Sequence, residues 1–144
     1  MRQAELSAGE YRALAGFRYY LRRFLHVSEV IATAAGIETQ QYLLLAIKGL
    51  PEGRTPTVGE IAERLQVRHH SAAELIDRTE ARGFVRRERG EHDRRQVLVR
   101  LTRKGDVLLR HLAARHRAEL RAIGPDLTTA LENVLASLDE RVPA

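Results

Sequence analysis

The sequence predicts a mainly α-helical protein with one small β-hairpin, and three observations support this fold class. Residues 57–65 and 68–82 have the apolar spacing and end signals of two short helices, the second closed by Gly83. Residues 84–101 then carry two strand-like stretches joined by an arginine-rich tip. Longer segments with apolar residues at helical spacing lie before and after this unit. A helix pair followed by a basic hairpin is the layout of a winged helix-turn-helix, in which the hairpin is the wing.

Composition limits the class of protein further. The 144 residues are 44% hydrophobic and 30% charged, which is typical of one globular domain rather than of a disordered chain. The chain has no cysteine, so a disulfide framework, a cysteine-ligated zinc site and thiol-based redox sensing are excluded. No apolar run is long enough to cross a membrane, and residues 1–6 lack the apolar core of a secretory signal. We therefore expect a cytoplasmic protein that uses no cofactor and binds no membrane.

Positive charge is concentrated near the hairpin. The formal net charge of the chain is +5, whereas the 23 residues from Arg82 to Lys104 hold nine basic and three acidic side chains, a local excess of +6. A solvated charged face is one explanation, but the basic run coincides with a hairpin that follows a helix pair. A local excess of this size indicates a polyanion partner, and double-stranded DNA is the one predicted. The preference for arginine over lysine suits contacts to phosphate and guanine, although the base composition of the genome explains it equally well.

The N-terminal segment predicts a long helix with an uncovered apolar stripe. Residues 7–10 (SAGE) form a capping-box sequence at its start, and Gly36 is expected to stop it. The helix is too long and too apolar for one small winged domain to cover, so it needs another surface, of which a second subunit is one example. Thr39 then opens a second helix, which ends in the glycines and prolines of residues 49–56.

The helix-turn-helix has clear local signals. Thr57 is expected to cap the first helix, with the Glu60 side chain reaching back to the backbone, and residues 66–67 make the turn. The side chains early in the second helix are expected to point outward, as those of a recognition helix in the major groove do. The apolar spacing predicts that its inner face consists of Ala72, Leu75, Ile76 and Thr79.

Two further helices are predicted after the hairpin. Thr102 is expected to cap the first of them, and the pair Gly124-Pro125 is expected to break it. Asp126 is then the expected cap of a last helix, whose apolar side runs from Leu127 to Leu138.

In this order of elements, the chain resembles the MarR family of bacterial transcriptional regulators over nearly its whole length. Residues 36–45 (GIETQQYLLL) are similar to the family's opening of helix two, and residues 57–65 (TVGEIAERL) to its first motif helix. The most specific stretch is residues 75–87 (LIDRTEARGFVRR) followed by residues 93–105 (DRRQVLVRLTRKG), which together carry the wing signature.

The resemblance implies an organisation and a function. Helices from residues 1–36 and 103–144 would build a homodimer, and residues 37–102 would form the winged DNA-binding domain. Such a dimer is expected to be a ligand-responsive repressor that binds a palindromic operator, because operator symmetry mirrors the two-fold symmetry of the protein.

The resemblance also assigns roles at the wing tip. It implies that Arg95 enters the minor groove and that the Asp93 carboxylate holds it, while Arg94 is expected to contact phosphate. The alternative explanation is a solvated surface triplet with no partner.

Further DNA contacts are expected from the helix-turn-helix. The candidates for base or phosphate contacts are Thr57, Arg68, His69, His70, Ser71, Glu74 and Arg78. Packing against the turn explains one of the two histidines equally well, and helix capping alone explains Thr57. Glu74 departs from the basic residue or threonine that is frequent there in the family. It either accepts from a cytosine amino group or pairs with Arg78, so the operator sequence cannot be taken from relatives.

The resemblance further suggests a small phenolic or carboxylate effector. The candidate aromatic and cationic walls of its site are Tyr11, Arg18, Tyr19 and Tyr42. Aromatic residues at helical spacing are also common in ordinary cores, and that interpretation stays open. His111 and His116 are five residues apart, a poor spacing for sharing a ligand on one helical face, so no metal site is expected.

Two other classes of function compete with a regulator. An enzyme is disfavoured because the sequence has no glycine-rich phosphate loop, no nucleophile elbow and no HExxH. An architectural or other non-sensing winged-helix protein that binds nucleic acid is the second. It would show little difference in affinity between specific and random duplexes.

Overall fold

The fold is helical with one hairpin, as predicted. A computed structural model describes residues 4–139, and residues 1–3 and 140–144 lie outside the described part. Residues 1–3 belong to the segment in which no secretory signal is expected. The elements in chain order are α1 (Ala8–Ala34), α2 (Gln40–Lys48), α3 (Val58–Leu65), α4 (His69–Ala81), β1 (Val85–Arg89), β2 (Val97–Leu101) and α5 (Arg103–Asp139). Among the described helices, none combines the length and the apolar character that a membrane span requires.

The chain divides into two compact units. Residues 32–114 form the winged unit, which holds the end of α1, α2 to α4, the hairpin and the first turns of α5. The helical unit is formed by the rest of α1 and the rest of α5. The functional division expected from the sequence, at residues 36 and 103, stays a prediction.

The helices and both strands of the winged unit contribute side chains to its core. β1 and β2 pair antiparallel, from Val85 opposite Leu101 to Arg89 opposite Val97. Alternate residues of a strand face opposite sides, so Val85 enters the core while Arg86 is exposed. The fully buried apolar side chains of the unit include Leu43, Leu44, Ile61, Ile76, Val85 and Val99.

A third backbone segment, just before α3, pairs with the hairpin, and no local sequence pattern predicted it. The Val99 N–H donates to the Pro56 carbonyl oxygen at 3.0 Å, and Thr57 forms an isolated antiparallel bridge with Leu98. The residues just before α3 therefore lie along the edge of β2 that β1 leaves open. This pairing ties the start of the helix-turn-helix directly to the wing.

The start of α1 confirms the predicted capping box. The Ser7 N–H donates to Glu10 Oε2 at 2.6 Å, and the Glu10 N–H donates to Ser7 Oγ at 3.2 Å. These reciprocal bonds satisfy two N–H groups that the first turn would leave unpaired. The helix ends at Ala34, and Gly36 follows with a φ of +76°, the left-handed conformation that glycine adopts at low cost.

The cap of α3 is only half of what the sequence predicts. Thr57 Oγ1 accepts from the Glu60 N–H at 3.2 Å, as expected. The predicted return bond between the Glu60 side chain and the backbone is wrong. The Glu60 carboxylate instead forms an ion pair with Arg54, whose NH2 lies 2.5 Å from Oε2. A guanidinium from the preceding loop supplies a charged partner for this carboxylate, whereas the capping box offers only one neutral N–H. The predicted turn is confirmed, with Gln66 in the left-handed region at a φ of +56°.

The prediction of a break at Gly124-Pro125 is wrong. A single helix, α5, runs through this pair, and Asp126 lies inside it rather than at a cap. Proline removes one N–H and crowds the carbonyl four residues earlier, which costs stability but does not force the chain out of the helical region. Apolar residues at helical spacing continue on both sides of the pair, and a continuous helix keeps them on one face.

The start of α5 is held by hydrogen bonds to the segment between α4 and β1. Thr102 caps α5, as predicted: its Oγ1 accepts from the Gly105 N–H at 3.1 Å and donates to the Gly83 carbonyl at 2.5 Å. The Thr102 N–H donates to the Phe84 carbonyl at 3.1 Å. Arg82 and Lys104 place their charges 5.2 Å and 5.0 Å from the centre of the buried Phe84 ring. The junction of recognition helix, wing and α5 is therefore one packed cluster.

Candidate nucleic-acid interface

The recognition helix α4 buries the face that its sequence predicts. Ala72, Leu75, Ile76 and Thr79 are all buried. Thr79 is accommodated there because its hydroxyl donates to the Leu75 carbonyl at 2.7 Å. With this face fixed, the candidate contact residues project the other way: Arg68, His69, His70, Glu74 and Arg78 are exposed, and Ser71 is half-buried.

The expected alternatives for Glu74 can be compared with the structure. The ion pairs of the described residues do not include one between Glu74 and Arg78, although both side chains are exposed one turn apart. Of the two explanations given for Glu74, the structure thus leaves its carboxylate available to accept a hydrogen bond from outside the chain. Whether it contacts a cytosine amino group stays a prediction.

Hydrogen bonds of the Asp93 side chain and of the loop backbone fix the conformation of the wing tip. Asp93 Oδ1 accepts from the Arg95 N–H at 3.0 Å, and the Asp93 carbonyl accepts from the Gln96 N–H at 3.1 Å. The Gly90 N–H closes the loop by donating to the Gln96 carbonyl at 3.0 Å. The side chain of Arg95 is 96% exposed, with its Nε 4.0 Å from Asp93 Oδ1. The Asp93 carboxylate therefore fixes the backbone from which the Arg95 guanidinium projects, and Arg94 beside it is also exposed.

The exposed face of the wing strands carries a charge cluster that the sequence analysis did not single out. The Glu88 carboxylate accepts from Arg100 Nε at 2.5 Å and from Arg86 Nε at 2.9 Å. The hydrogen bond from Arg100 is the main reason that the pKa of Glu88 lies below its ordinary value, since it outweighs the opposing effect of burial. Glu88 stays ionised at neutral pH and loses these pairs only below the ordinary range of a glutamate.

Replacing Glu88 by glutamine should strengthen binding to DNA of any sequence. The change removes the charge that neutralises two wing arginines, so affinity for a random duplex should rise about two- to fivefold at low salt. Fluorescence anisotropy with a labelled random duplex measures this. Glu132→Gln, which makes the same change in net charge on α5 of the helical unit, is the control. Equal effects of the two substitutions would show that the location of Glu88 is irrelevant.

The remaining candidate residues lie on different elements of the two units. Thr57 lies at the start of α3, half-buried, with its hydroxyl engaged in capping. Tyr11, Arg18 and Tyr19 are exposed on α1 in the helical unit, and their role in an effector site stays a prediction. Tyr42 is half-buried in α2 of the winged unit. Within residues 4–139, no group of three or more His, Cys, Asp or Glu side chains is arranged to hold a metal ion.

These features define the class of protein: a winged helix-turn-helix in which the outer face of the second motif helix and an arginine-tipped wing both stand clear of the core. Residues 35–96 match the sequence model of the MarR family. The chain is therefore similar to the MarR family of transcriptional regulators in the sequence of its winged unit and in its fold, as its sequence motifs suggested.

Three relatives show how far the likeness extends. AbsC, a MarR family transcriptional regulator from Streptomyces coelicolor, superposes with a TM-score of 0.78 at 26% identity, over 96% of this chain and 97% of that one. The transcriptional repressor CouR, solved bound to a 23-mer DNA duplex, has a TM-score of 0.68 at 26% identity, over 94% and 98% of the two chains.

The third is the HTH-type transcriptional regulator PapX of Escherichia coli, which is 27% identical over 95 residues, or 66% of this chain and 58% of that protein. The chain spans about half the length of the curated relatives it matches. These relatives are transcriptional regulators rather than enzymes.

Proposed function

We propose that this protein is a sequence-specific regulator of transcription that binds double-stranded DNA as a homodimer on a palindromic operator. The observation that carries the proposal is the arginine at the braced wing tip, 96% exposed, in the same compact unit as the outward face of α4. A helix suits the major groove, and a narrow minor groove attracts a guanidinium through its concentrated negative potential. The local excess of +6 between Arg82 and Lys104 adds attraction for any duplex.

The likeness to CouR supports a repressor. That protein is a transcriptional repressor and is bound to a DNA duplex, and its fold covers 94% of this chain. Binding that covers an operator blocks access to the promoter beside it, so repression needs no contact beyond those made to DNA. We therefore propose repression as the direction of regulation.

The helical unit supports a homodimer because apolar side chains remain uncovered on it. Large apolar surfaces on a soluble chain usually mark an interface. The large aliphatic side chains exposed on this unit are Leu14, Leu25 and Val30 on α1, and Leu120, Leu131, Leu135 and Leu138 on α5. They lie on the N- and C-terminal helices, where the family resemblance places the dimer contact. Two copies related by a two-fold axis would cover these surfaces together.

Replacing Leu135 by glutamate should shift the protein from dimer to monomer. Leu135 is 52% exposed on the single chain, and a charge at that position would be buried without a partner on dimerisation. Sedimentation velocity at micromolar concentration measures the change. Thr129→Glu is the control. It adds the same charge to α5 at an exposed polar position about 120° around the helix axis from Leu135, so it should leave the dimer intact. If Leu135→Glu forms as much dimer as the unchanged protein, the interface lies elsewhere.

A small phenolic or carboxylate effector is the second part of the proposal. Arg18 offers a cation and Tyr11 and Tyr19 offer exposed aromatic surface on the same helix, which suits an amphiphilic anion. 4-Hydroxybenzoate carries both functional groups and is the probe. It should change the affinity of the protein for its operator, and Arg18→Ala should abolish that change. Identical DNA affinity with and without millimolar probe would remove this class of effector.

Selection of duplexes from a random pool by the purified protein tests the proposed function. A regulator should enrich a two-fold symmetric sequence and bind it roughly 10³-fold or more tightly than random DNA at physiological salt. Affinity should be measured against salt for both duplexes, because phosphate contacts alone give the same steep slope on each. Enrichment of no sequence would favour an architectural protein, and no binding to either duplex would end the proposal.

A further inference from the structure

One wing residue makes a set of contacts that DNA binding itself does not explain. Arg87 lies in the middle of β1, opposite Val99, and its side chain is only 28% exposed. Its NH1 lies 2.6 Å from Asp77 Oδ1 and 3.2 Å from Glu80 Oε1, and its NH2 donates to the Ala73 carbonyl at 3.1 Å. Its backbone N–H also donates to Glu80 Oε2 at 2.7 Å. One residue of the wing therefore holds three residues of the recognition helix.

The spacing of these contacts decides what they can do. Ala73, Asp77 and Glu80 follow each other at intervals of four and three residues, so they form a row along one side of α4. A guanidinium that bonds to several points along this row resists both rotation and sliding of the helix against the strand. A single ion pair would act as a pivot and would permit rotation.

The chemistry of the contact requires arginine. Guanidinium presents its donors in a rigid planar fork, so it can bond to a carboxylate and to a carbonyl at the same time, whereas a lysine ammonium is a point charge on a flexible stem. The contact also occupies two carboxylates that would otherwise add negative charge beside a DNA-binding helix. Asp77 and Glu80 are 65% and 38% exposed, so without Arg87 they would be open to solvent and to phosphate.

We propose that Arg87 is a positioning residue that fixes the recognition helix relative to the wing, so that α4 and Arg95 enter their two grooves together. This inference rests on the proposed function. Sequence discrimination depends on the angle of α4, because base contacts need their donors and acceptors aligned, while phosphate attraction tolerates misalignment. Arg87 therefore acts on the specificity of binding more than on its strength toward any duplex.

Arg87→Lys tests the proposal because it keeps the charge and loses the fork. Its affinity for the selected operator should fall about tenfold or more, as expected when base contacts are misaligned. Its affinity for random DNA and the salt dependence of that affinity should stay as in the unchanged protein, because the net charge is the same. Arg110→Lys, at an exposed position of α5 in the same unit paired with Asp106, is the matched control and should retain operator affinity.

Two further measurements separate positioning from general stability. Hydrogen exchange of the α4 amides should quicken in Arg87→Lys while the amides of α2 stay protected. Glu80→Gln, which leaves the contact with Asp77, should give an intermediate loss of specificity and serves if Arg87→Lys does not fold. An unchanged ratio of operator to random affinity in these variants would overturn the proposal. If the unchanged protein itself shows no operator preference, the proposed function fails instead, and the two outcomes are distinct.

Discussion

Replacing Gly105 by alanine should unfold much of the winged unit. A Cβ at this position would lie 2.0 Å from the Phe84 carbonyl oxygen and 2.9 Å from its carbonyl carbon. These are backbone atoms, and the same carbonyl accepts the Thr102 N–H at 3.1 Å, so no side chain can move aside to make room. The start of α5 must separate from the segment between α4 and β1, which should lower the free energy of unfolding by about 3 kcal/mol or more.

Thermal unfolding followed by circular dichroism measures this loss. Gly59→Ala is the matched control in the same unit, because its Cβ would meet nothing closer than Thr57 Oγ1 at 3.8 Å. Alanine favours the helix over glycine, so this control should change the free energy of unfolding by less than about 1 kcal/mol. A Gly105→Ala protein as stable as the control would mean that α5 does not pack against Phe84 as described.

Replacing Arg95 by alanine should weaken operator binding by about 1–3 kcal/mol and leave the fold unchanged. The side chain is 96% exposed and the tip backbone is held by the Asp93 carboxylate, so its removal takes away no internal contact of the winged core. What is lost is the attraction between a guanidinium and the narrow minor groove. Isothermal titration or gel shift at fixed salt measures the change.

The neighbouring arginine separates the two roles assigned to the wing tip. Arg94→Ala removes the same charge from the same exposed loop, but as a phosphate contact it should weaken all duplexes alike and reduce the salt slope by about one. Arg95→Ala should weaken binding most where the operator has a narrow minor groove. If the two variants behave identically on every duplex, Arg95 is a further phosphate contact and the minor-groove role is wrong.

Features decided by local chemistry were predictable from the sequence. The inner face of α4 follows from the spacing of Ala72, Leu75, Ile76 and Thr79, and the structure buries all four. The capping box at Ser7 and the cap at Thr102 depend on atoms three residues apart, and both were predicted from their residue types. The family likewise followed from motifs that lie within short stretches of the chain.

Features that depend on distant partners were not predictable in this way. The Glu60 carboxylate forms an ion pair with Arg54, which lies in the preceding loop. The contacts of Arg87 are with Glu80 and Asp77, which lie seven and ten residues away on another element. A signal for Arg87 did exist: it shares a strand face with buried Val85, so a charged partner was to be expected there. The prediction at Pro125 was wrong because the apolar face beyond it was assigned to a separate helix, whereas α5 continues through the proline.

The contacts proposed for individual side chains with DNA stay predictions, and hydroxyl-radical footprinting on the selected operator tests them together. Because the radical attacks along the minor groove, a homodimer with an inserted Arg95 in each copy should protect two minor-groove segments related by a two-fold axis. The half-sites between them should lie about 34–36 Å apart, one turn of the duplex. Arg95→Ala should restore cleavage in both segments. Protection of one isolated half-site by a monomer would contradict the account.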